Sequence, residues 1–298
     1  MDGEGWGVGG GGCLGMDFES GKLGLRASLR KIPTHSDLKE LNEKKVSEIV
    51  CNSSLGWVGD DLSFLQAIPT VKSFTLLSAS SIDLKPLQIL SHLEKLSLHA
   101  PRAKTVDFSK LELLRDCSIE WISGAETLFL LPKIQRLSIQ ELPKQHLPSF
   151  ALMGMLDELK LFGAKIDEFS ECGKLGKLKY LRLAGCRKLN SLTGLRHSEH
   201  IESLIIQGCP IGNIDDIRFL QKLQNLVIDD CREIETLRPI EGHVALKHLV
   251  ISGTTKVKDG DLDLIRFLPA LKSFSARNFK HYSPSVKYLT KLIRDRSP

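Results

Sequence analysis

Residues 178–186 read Leu-Lys-Tyr-Leu-Arg-Leu-Ala-Gly-Cys, a nine-residue stretch with leucine at its first, fourth and sixth positions. The same L-x-x-L-x-L-x-x-C pattern, with isoleucine replacing some of the leucines, returns in residues 201–209 and again in residues 223–231. A pattern that recurs at a fixed period predicts a repeat architecture in which each unit forms one structural coil. This stretch therefore decides the fold class before any single element is assigned.

The pattern extends over most of the chain when each unit is aligned on its first apolar position. Successive units start between 20 residues (114 to 134) and 25 residues (46 to 71) apart, which is typical of one class of repeat. The eleven starts are Val46, Val71, Leu93, Leu114, Ile134, Leu156, Leu178, Ile201, Leu223, Leu246 and Leu271.

This spacing and the L-x-x-L-x-L pattern resemble leucine-rich repeat proteins of the short class, as found in internalins and phosphatase-regulatory subunits. The Gly-Cys pairs at 185–186 and 208–209 are also similar to the cysteine-containing repeats found beside F-boxes, although no F-box pattern lies upstream. The resemblance implies an α/β solenoid, a horseshoe with a parallel β-sheet on its concave face. Its convex segments would be mostly 3₁₀ or irregular, and it would contain about 10–11 repeats.

Strand and turn chemistry support the same fold. Positions 4 and 6 of each unit differ by two, so both side chains point to one face of a strand, while positions 3, 5 and 7 point to the other. The return segment repeats its apolar residues every third position, which suits a 3₁₀ turn; the clearest example is Ile211, Ile214, Ile217 and Leu220.

Position 9 departs from the resemblance. The family usually has Asn there, but this sequence has Cys186, Cys209 and Cys231 in three units and residues such as Ala164 and Thr254 in others. We interpret the cysteines as small, buried apolar residues. A regular inner turn is predicted only over about 178–240.

Four segments are predicted. Residues 1–35 are rich in glycine and are expected to be flexible, with Met16 as an alternative natural start. Residues 36–45 would form an N-terminal cap, a short helix with Ser36 as its N-cap, over the first edge of the sheet. Residues 46–277 are the repeats. Residues 278–298 would form a C-terminal capping helix that begins after Ser283.

Composition limits the function classes. The chain is 42% hydrophobic but only 6% aromatic, and its net charge of +5 is too small to argue for nucleic acid. Neither an apolar run long enough to span a membrane nor a secretory signal is expected. Seven cysteines without a C-x-x-C pair suit reduced thiols, so we expect a cytoplasmic protein.

No catalytic, cofactor or metal constellation is predicted. Gly5-x-Gly7-x-x-Gly10 matches a dinucleotide fingerprint by letter, but the strand that must precede it has no room. His197, His200 and His243 come from neighbouring units and are interpreted as solvated turn residues, with a metal site as the alternative. We therefore expect no enzyme.

The concave face offers two columns. Position 3 alternates in sign through Lys95, Asp116, Arg136 and Glu158, which we interpret as a self-satisfying surface ladder. Position 5 changes from cationic to apolar, beside two aromatic side chains and a polar rim, and this composition is typical of a binding hot spot. The predicted partner-binding residues are Lys160, Phe162, Tyr180, Arg182, Ile205, Gln207, Val227, Asp229, His248 and Val250.

The leading hypothesis is a monomeric, non-enzymatic scaffold that binds another protein on this face. Its role would be that of a regulator or adaptor, including the neutralisation of a toxin or effector. The alternative is association with a membrane surface or a nucleic acid through the basic C-terminal helix.

Overall fold

The computed structural model of the chain describes residues 15–169 and 175–296. These residues belong to two compact units. The first unit runs to Leu113 and includes Ile122–Gly124, and the second comprises Leu114–Trp121 and the residues from Ala125 onward. The predicted flexible segment before Gly15 lies outside the described residues.

The first unit contains five strands and one helix. Strands β1 and β2 form an antiparallel hairpin, and β2 to β5 then pair in parallel, each with the next along the chain. The bounds are β1 Met16–Ser20, β2 Leu25–Leu29, α1 His35–Glu43, β3 Glu48–Asn52, β4 Ser73–Leu77 and β5 Lys95–His99.

The start of the first unit differs from the sequence expectation in two ways. The segment 1–35 is predicted to be flexible, with a strand or a loose cap as the interpretation of residues 22–30. Residues 16–29 instead form the β1–β2 hairpin, and β2 rather than a helix covers the edge of β3. Helix α1 begins two residues earlier than a Ser36 N-cap predicts, because Thr34 is its N-cap. The hydroxyl of Thr34 accepts the backbone N–H of Asp37, whose carboxylate accepts the N–H of Thr34 in return.

The second unit contains eight parallel strands that pair in sequence order, followed by one helix. The bounds are β6 Asp116–Glu120, β7 Arg136–Gln140, β8 Glu158–Phe162, β9 Tyr180–Ala184, β10 Ser203–Gln207, β11 Asn225–Asp229, β12 His248–Ser252, β13 Ser273–Ala276 and α2 Val286–Arg296.

The predicted repeat positions are confirmed. Each of the strands β3 to β13 begins at position 3 of its unit, two residues after the aligned apolar start. In most of them the side chains alternate, with positions 4 and 6 buried and positions 3, 5 and 7 half-buried. The aliphatic core therefore lies on one side of the strands in each unit, and the other side carries the variable side chains.

The return segments are mostly 3₁₀ turns, as predicted. Their apolar residues are buried at every third position, for example Ile211, Ile214 and Ile217. The segments are Ser53–Leu55, Ser63–Ala67, Lys85–Ile89, Ala125–Leu130, Lys144–Leu152, Thr193–His197, Asp215–Phe219, Arg238–Ile240 and Asp263–Phe267.

Helix α2 covers the last strand. Val286, Leu289 and Ile293 are buried, and the hydroxyl of Thr290 donates to the carbonyl of Phe274 in β13 at 3.4 Å. The helix starts later than predicted because the hydroxyl of Ser285, rather than that of Ser283, accepts a backbone N–H of the first turn. Among the described helices, none has the length and apolar character needed to cross a membrane.

Candidate functional site

The candidate site is the open face of the second unit, defined as the side chains at positions 3, 5 and 7 of β8 to β12. Parallel pairing aligns the position 5 residues of these five strands into one row. The row runs Lys160, Arg182, Ile205, Val227 and Val250. Neighbours in such a row are about 4.8 Å apart, so the change from cationic to aliphatic is spatially continuous.

The cationic half of the row is held against aromatic rings. The ammonium of Lys160 lies 5.3 Å from the ring centre of Tyr180, and its charge is paired with Glu158. The guanidinium of Arg182 lies 5.5 Å from the ring centre of Phe162. Cation–π contacts of this kind fix the long cationic side chains. Less side-chain conformational entropy would therefore be lost when a partner binds.

A chain of hydrogen bonds joins four neighbouring strands beside the row. Arg182 Nη2 donates to Gln207 Oε1 at 2.9 Å, and Gln207 Nε2 donates to Asp229 Oδ2 at 3.0 Å. The hydroxyl of Ser252 donates to the other oxygen of Asp229 at 2.6 Å. Arg182 Nε is buried and has no partner among the described residues. The polar rim is thus preorganised. Ser252, which the sequence reasoning missed, is part of it.

The aliphatic half of the row is only half-buried. Ile205, Val227 and Val250 lie side by side, with Gln207 and Asp229 two residues further along their strands. His248, predicted to share the polar rim, lies at position 3 and is exposed at the opposite end of β12. Four residues of strand, about 13 Å, separate it from Ser252, so it does not join this rim.

The predicted charge column at position 3 forms in part. Arg136 and Asp116 lie on adjacent strands and make an ion pair at 3.3 Å. Glu158 is the next residue of the column, but it pairs with Lys160 of its own strand. Pairs this exposed contribute little to stability.

A ladder of hydrogen bonds runs beneath the turns that follow β8 to β12. The backbone N–H of Ala164 donates to the sulfur of Cys186, that of Cys186 to Cys209, and that of Cys209 to Cys231. The N–H of Cys231 donates to the hydroxyl of Thr255 at 2.9 Å. The side chains of this ladder do what Asn does in the family pattern, so the regular turn extends beyond the predicted 178–240.

Thr255 was missed because the sequence count put Thr254 at position 9. In the structure the N–H of Thr255 bonds to the carbonyl of Ser252 at 3.2 Å, and this turn points Thr254 outward and Thr255 inward. Thr255 is fully buried, whereas Thr254 is exposed. The inward hydroxyl therefore comes one residue later than in the cysteine units.

Two of the three ladder thiols, those of Cys209 and Cys231, are not poised for reaction. Burial raises the pKa of Cys231 to about 11. The pKa of Cys209 is raised by its hydrogen bond with the sulfur of Cys186 and by burial. Because the thiolate is the reactive form, these positions suit structural cysteines. The buried Cys51 and Cys117, whose pKa values are raised by burial, are of the same kind.

The histidine prediction is wrong for one residue. His197 and His200 are exposed, but His243 is fully buried and its Nε2 lies 3.1 Å from the carbonyl oxygen of Ile217. It occupies the core position three residues before the aligned start, which is Leu220 in the preceding unit. Within residues 15–169 and 175–296, no three His, Cys, Asp or Glu side chains are grouped as metal ligands.

The curated relatives are much larger proteins, and this chain matches only a part of each. The chain is 27% identical over 244 residues to a disease resistance protein of Arabidopsis thaliana, RPP4, and the match covers 80% of this chain but 19% of that protein. A disease resistance-like protein of the same plant, CSA1, is 27% identical over 57% of this chain and 13% of its own length. The chain thus spans less than a fifth of the relatives it matches. No protein-family model matches it.

Solved structures with the same fold include two from the bacterium Listeria monocytogenes. Internalin InlF of Listeria monocytogenes superposes with a TM-score of 0.60 at 18% identity, covering 82% of this chain and 72% of that one. The functional domain of InlJ from the same species, described as including a cysteine ladder, superposes with a TM-score of 0.61 at 16% identity over 81% of this chain and 50% of that one. At these identities the likeness concerns the fold alone.

Proposed function

Starting from the leucine-rich repeat fold of this chain, we propose that it is a non-enzymatic interaction module that binds another protein on the open face of β8 to β12. The observation that carries the proposal is the row of position 5 side chains. Its aliphatic half is only half-buried and lies beside cations held on aromatic rings. Interfaces are enriched in aromatic residues and Arg around an apolar centre, and this row has that composition.

Preorganisation supports the same role. Arg182, Gln207, Asp229 and Ser252 are already hydrogen-bonded to one another, so binding would not have to order them. If the charges on this face served only to pair with one another, there would be no reason for an aliphatic row to lie beside them. The curated relatives are named as disease resistance proteins, and a recognition module suits such a name. A monomer in the cytoplasm, with its cysteines reduced, remains part of the proposal.

The alternative, attachment to a membrane through α2, is less favoured. The apolar residues of that helix, Val286, Leu289 and Ile293, are buried against the last coil. A helix that lies in a membrane interface needs its apolar face for the lipid. Only its cationic side would remain for a membrane or a nucleic acid.

The test compares one variant on the open face with one on a return segment. Val227→Glu places a charge in the aliphatic half of the row, and Phe219→Glu places the same charge at a side chain that is 45% exposed. Proteins retained from a source-tissue extract are quantified for the wild type and both variants. We expect a partner that Val227→Glu loses by about 30-fold, the effect of one hot-spot residue, and that Phe219→Glu keeps. A partner set retained equally by all three proteins would refute the site.

A further inference from the structure

Two shallow pockets lie along the edge where β8 to β11 end. One, of about 560 Å³, is lined by residues that include Gly163, Lys165, Arg187 and Lys188. The other, of about 290 Å³, is lined by residues that include Arg187 and Arg232. Arg187 borders both pockets, and we call the residues that line the two pockets the cationic rim.

The charges of the cationic rim are only partly compensated. Glu141 pairs with Lys165 at 3.5 Å, and Asp230 accepts the backbone N–H of Thr254 at 2.9 Å. Of the carboxylates in the part of the chain that the structure describes, none lies within ion-pair distance of Arg187, Lys188 or Arg232. All three are exposed.

Repeat geometry sets the spacing of the two arginines. Arg187 and Arg232 occupy the same position in the coils of β9 and β11, with Pro210 between them in the coil of β10. Two coil spacings are about 10 Å, which an extended peptide covers in about three residues. One short extended segment could therefore bring a carboxylate to each arginine.

Between the cationic rim and the row of position 5 side chains lie the turns and the position 7 side chains Ala184, Gln207 and Asp229. Gly185 and Gly208 form the turns between them, with φ values of +63° and +59° that favour glycine. Ala184, at the end of β9, is the small residue beside Arg182. A chain lying over Gly185 and Ala184 would meet backbone and Cβ atoms, and it would reach Arg182, about 10 Å from Gly185, within about three residues.

We propose that the cationic rim binds an acidic segment of the partner protein, whose carboxylates meet Arg187 and Arg232 while its apolar side chains reach the row at Ile205 and Val227. The inference rests on the proposed function and narrows it to one partner chemistry. The adjoining aliphatic row favours a peptide over a nucleic acid or a phospholipid surface, because a repeated phosphate backbone offers no apolar side chains to match it.

The experiment measures fluorescence anisotropy of the full chain with two labelled ten-residue probes, one with Glu at every third position and one with Gln at those positions, the other residues being Val in both. We expect the acidic probe to bind at 50 mM salt at least about tenfold more tightly than the neutral probe, and to lose most of this advantage at 300 mM salt. Equal binding of the two probes, or no binding of the acidic probe, overturns the inference.

Matched variants locate the binding. Arg187→Glu/Arg232→Glu should weaken binding of the acidic probe by about tenfold or more. Lys133→Glu/Lys222→Glu makes the same change of charge at exposed residues before β7 and β11, at the other edge of the sheet, and should change binding less than about twofold. Equal losses in the two double variants would assign the effect to net charge and refute the cationic rim. Circular dichroism melting confirms that each variant is folded.

Two further measurements separate the possible failures. If Val227→Glu abolishes retention of the natural partner while Arg187→Glu/Arg232→Glu keeps it, the acidic segment is refuted and the proposed function stands. If neither variant changes retention, both fail. Vesicles with about one third phosphatidylserine, and a 20-nucleotide oligo-dT, serve as phosphate probes. Binding of either that is tighter than that of the acidic peptide and is lost in Arg187→Glu/Arg232→Glu overturns the inference in favour of a phosphate surface.

Discussion

The two ends of the repeat array are closed in different ways. In the first unit a β-hairpin extends the sheet, so β1 becomes a new edge strand. That edge is charged: Arg30 pairs with Asp17 at 2.7 Å, and Arg26 pairs with Glu19 at 3.0 Å. In the second unit α2 ends the array with a helix that buries Leu289 and Ile293. A strand cap leaves an open sheet edge, and charged side chains are needed there to prevent pairing with another chain. A helix cap instead covers the last strand with apolar side chains.

The hairpin brings a buried carboxylate with it. Glu48 of β3 is only 3% exposed, at a position where the strands of the second unit carry half-buried residues. Its side chain accepts the backbone N–H of Leu23 and lies 2.8 Å from the guanidinium of Arg26. Burial alone would raise the pKa of Glu48, but these two contacts outweigh it and the pKa lies below its ordinary value. The N-terminal cap is therefore polar where the C-terminal cap is apolar.

The largest expected effect comes from breaking the apolar cap. Leu289→Ala removes a fully buried side chain from α2 and should cost about 3 kcal/mol of unfolding free energy. Hydrogen exchange should show lost protection in α2 and β13 and little change in β1 to β3. The exposed Lys287→Ala in the same helix is the control. A loss of protection spread evenly over the chain would contradict a local cap.

Breaking the polar cap should have the next largest effect. Arg26→Ala leaves Glu48 buried without its cation, which should cost about 2 kcal/mol, less than for a fully buried pair because Arg26 is 31% exposed. Urea unfolding measures the loss, and Arg30→Ala, which breaks only the exposed pair with Asp17, should change stability by less than about 1 kcal/mol. Equal effects of the two substitutions would show that the burial of Glu48 does not matter.

Removing the hydrogen bond between Cys231 and Thr255, at the end of the ladder, should have a smaller effect on stability. Thr255→Val keeps the shape of the side chain but leaves the buried N–H of Cys231 without its acceptor, so we expect a loss of about 1–2 kcal/mol in unfolding free energy. Thr254→Val changes the exposed neighbour and should be close to neutral. If both substitutions cost the same, the hydrogen bond seen at Thr255 does not contribute to stability.

The smallest effect distinguishes the two caps by pH. Because the folded-state pKa of Glu48 lies below the ordinary value of 4.5, its contribution is present above about pH 4.5 and is lost as the pH falls through the folded-state pKa. Wild type should therefore lose more stability between pH 6 and pH 3.5 than Glu48→Gln, as measured by urea midpoints. The Leu289→Ala variant should keep the acid sensitivity of the wild type. If the urea midpoints of wild type and Glu48→Gln fell equally with pH, Glu48 would not be the cause of the acid sensitivity.

Periodicity made most of the fold predictable. The strands β3 to β13 start where the aligned apolar residues place them, since core positions one coil apart must superpose. The hairpin was not predictable in this way, because residues 16–29 belong to no repeat unit and follow a run of glycines. His243 was misinterpreted because its residue type was considered without its column, whose other members are mainly apolar and buried.

The sequence predicts which side chains lie on the surface of the candidate site, but not the hydrogen bonds between them. Alternation alone places Arg182, Ile205 and Val227 in one row. Which polar groups meet depends on side-chain length and direction: Gln207 spans from Arg182 to Asp229, while His248 lies at the far end of its strand. The equivalence of Arg187 and Arg232 follows from a count of repeat positions, but the pockets that they line depend on turn geometry, which such a count does not contain.

The ladder of hydrogen bonds through Cys186, Cys209 and Cys231 repeats once per coil. From Cys186 to Cys209 is 23 residues and from Cys209 to Cys231 is 22, and each cysteine accepts from the coil before it and donates its N–H to the coil after it. A duplicated segment 187–209 would therefore join its neighbours through the same two bonds. The length of the open face, and with it the area offered to a partner, can change by whole coils while every junction keeps the same chemistry.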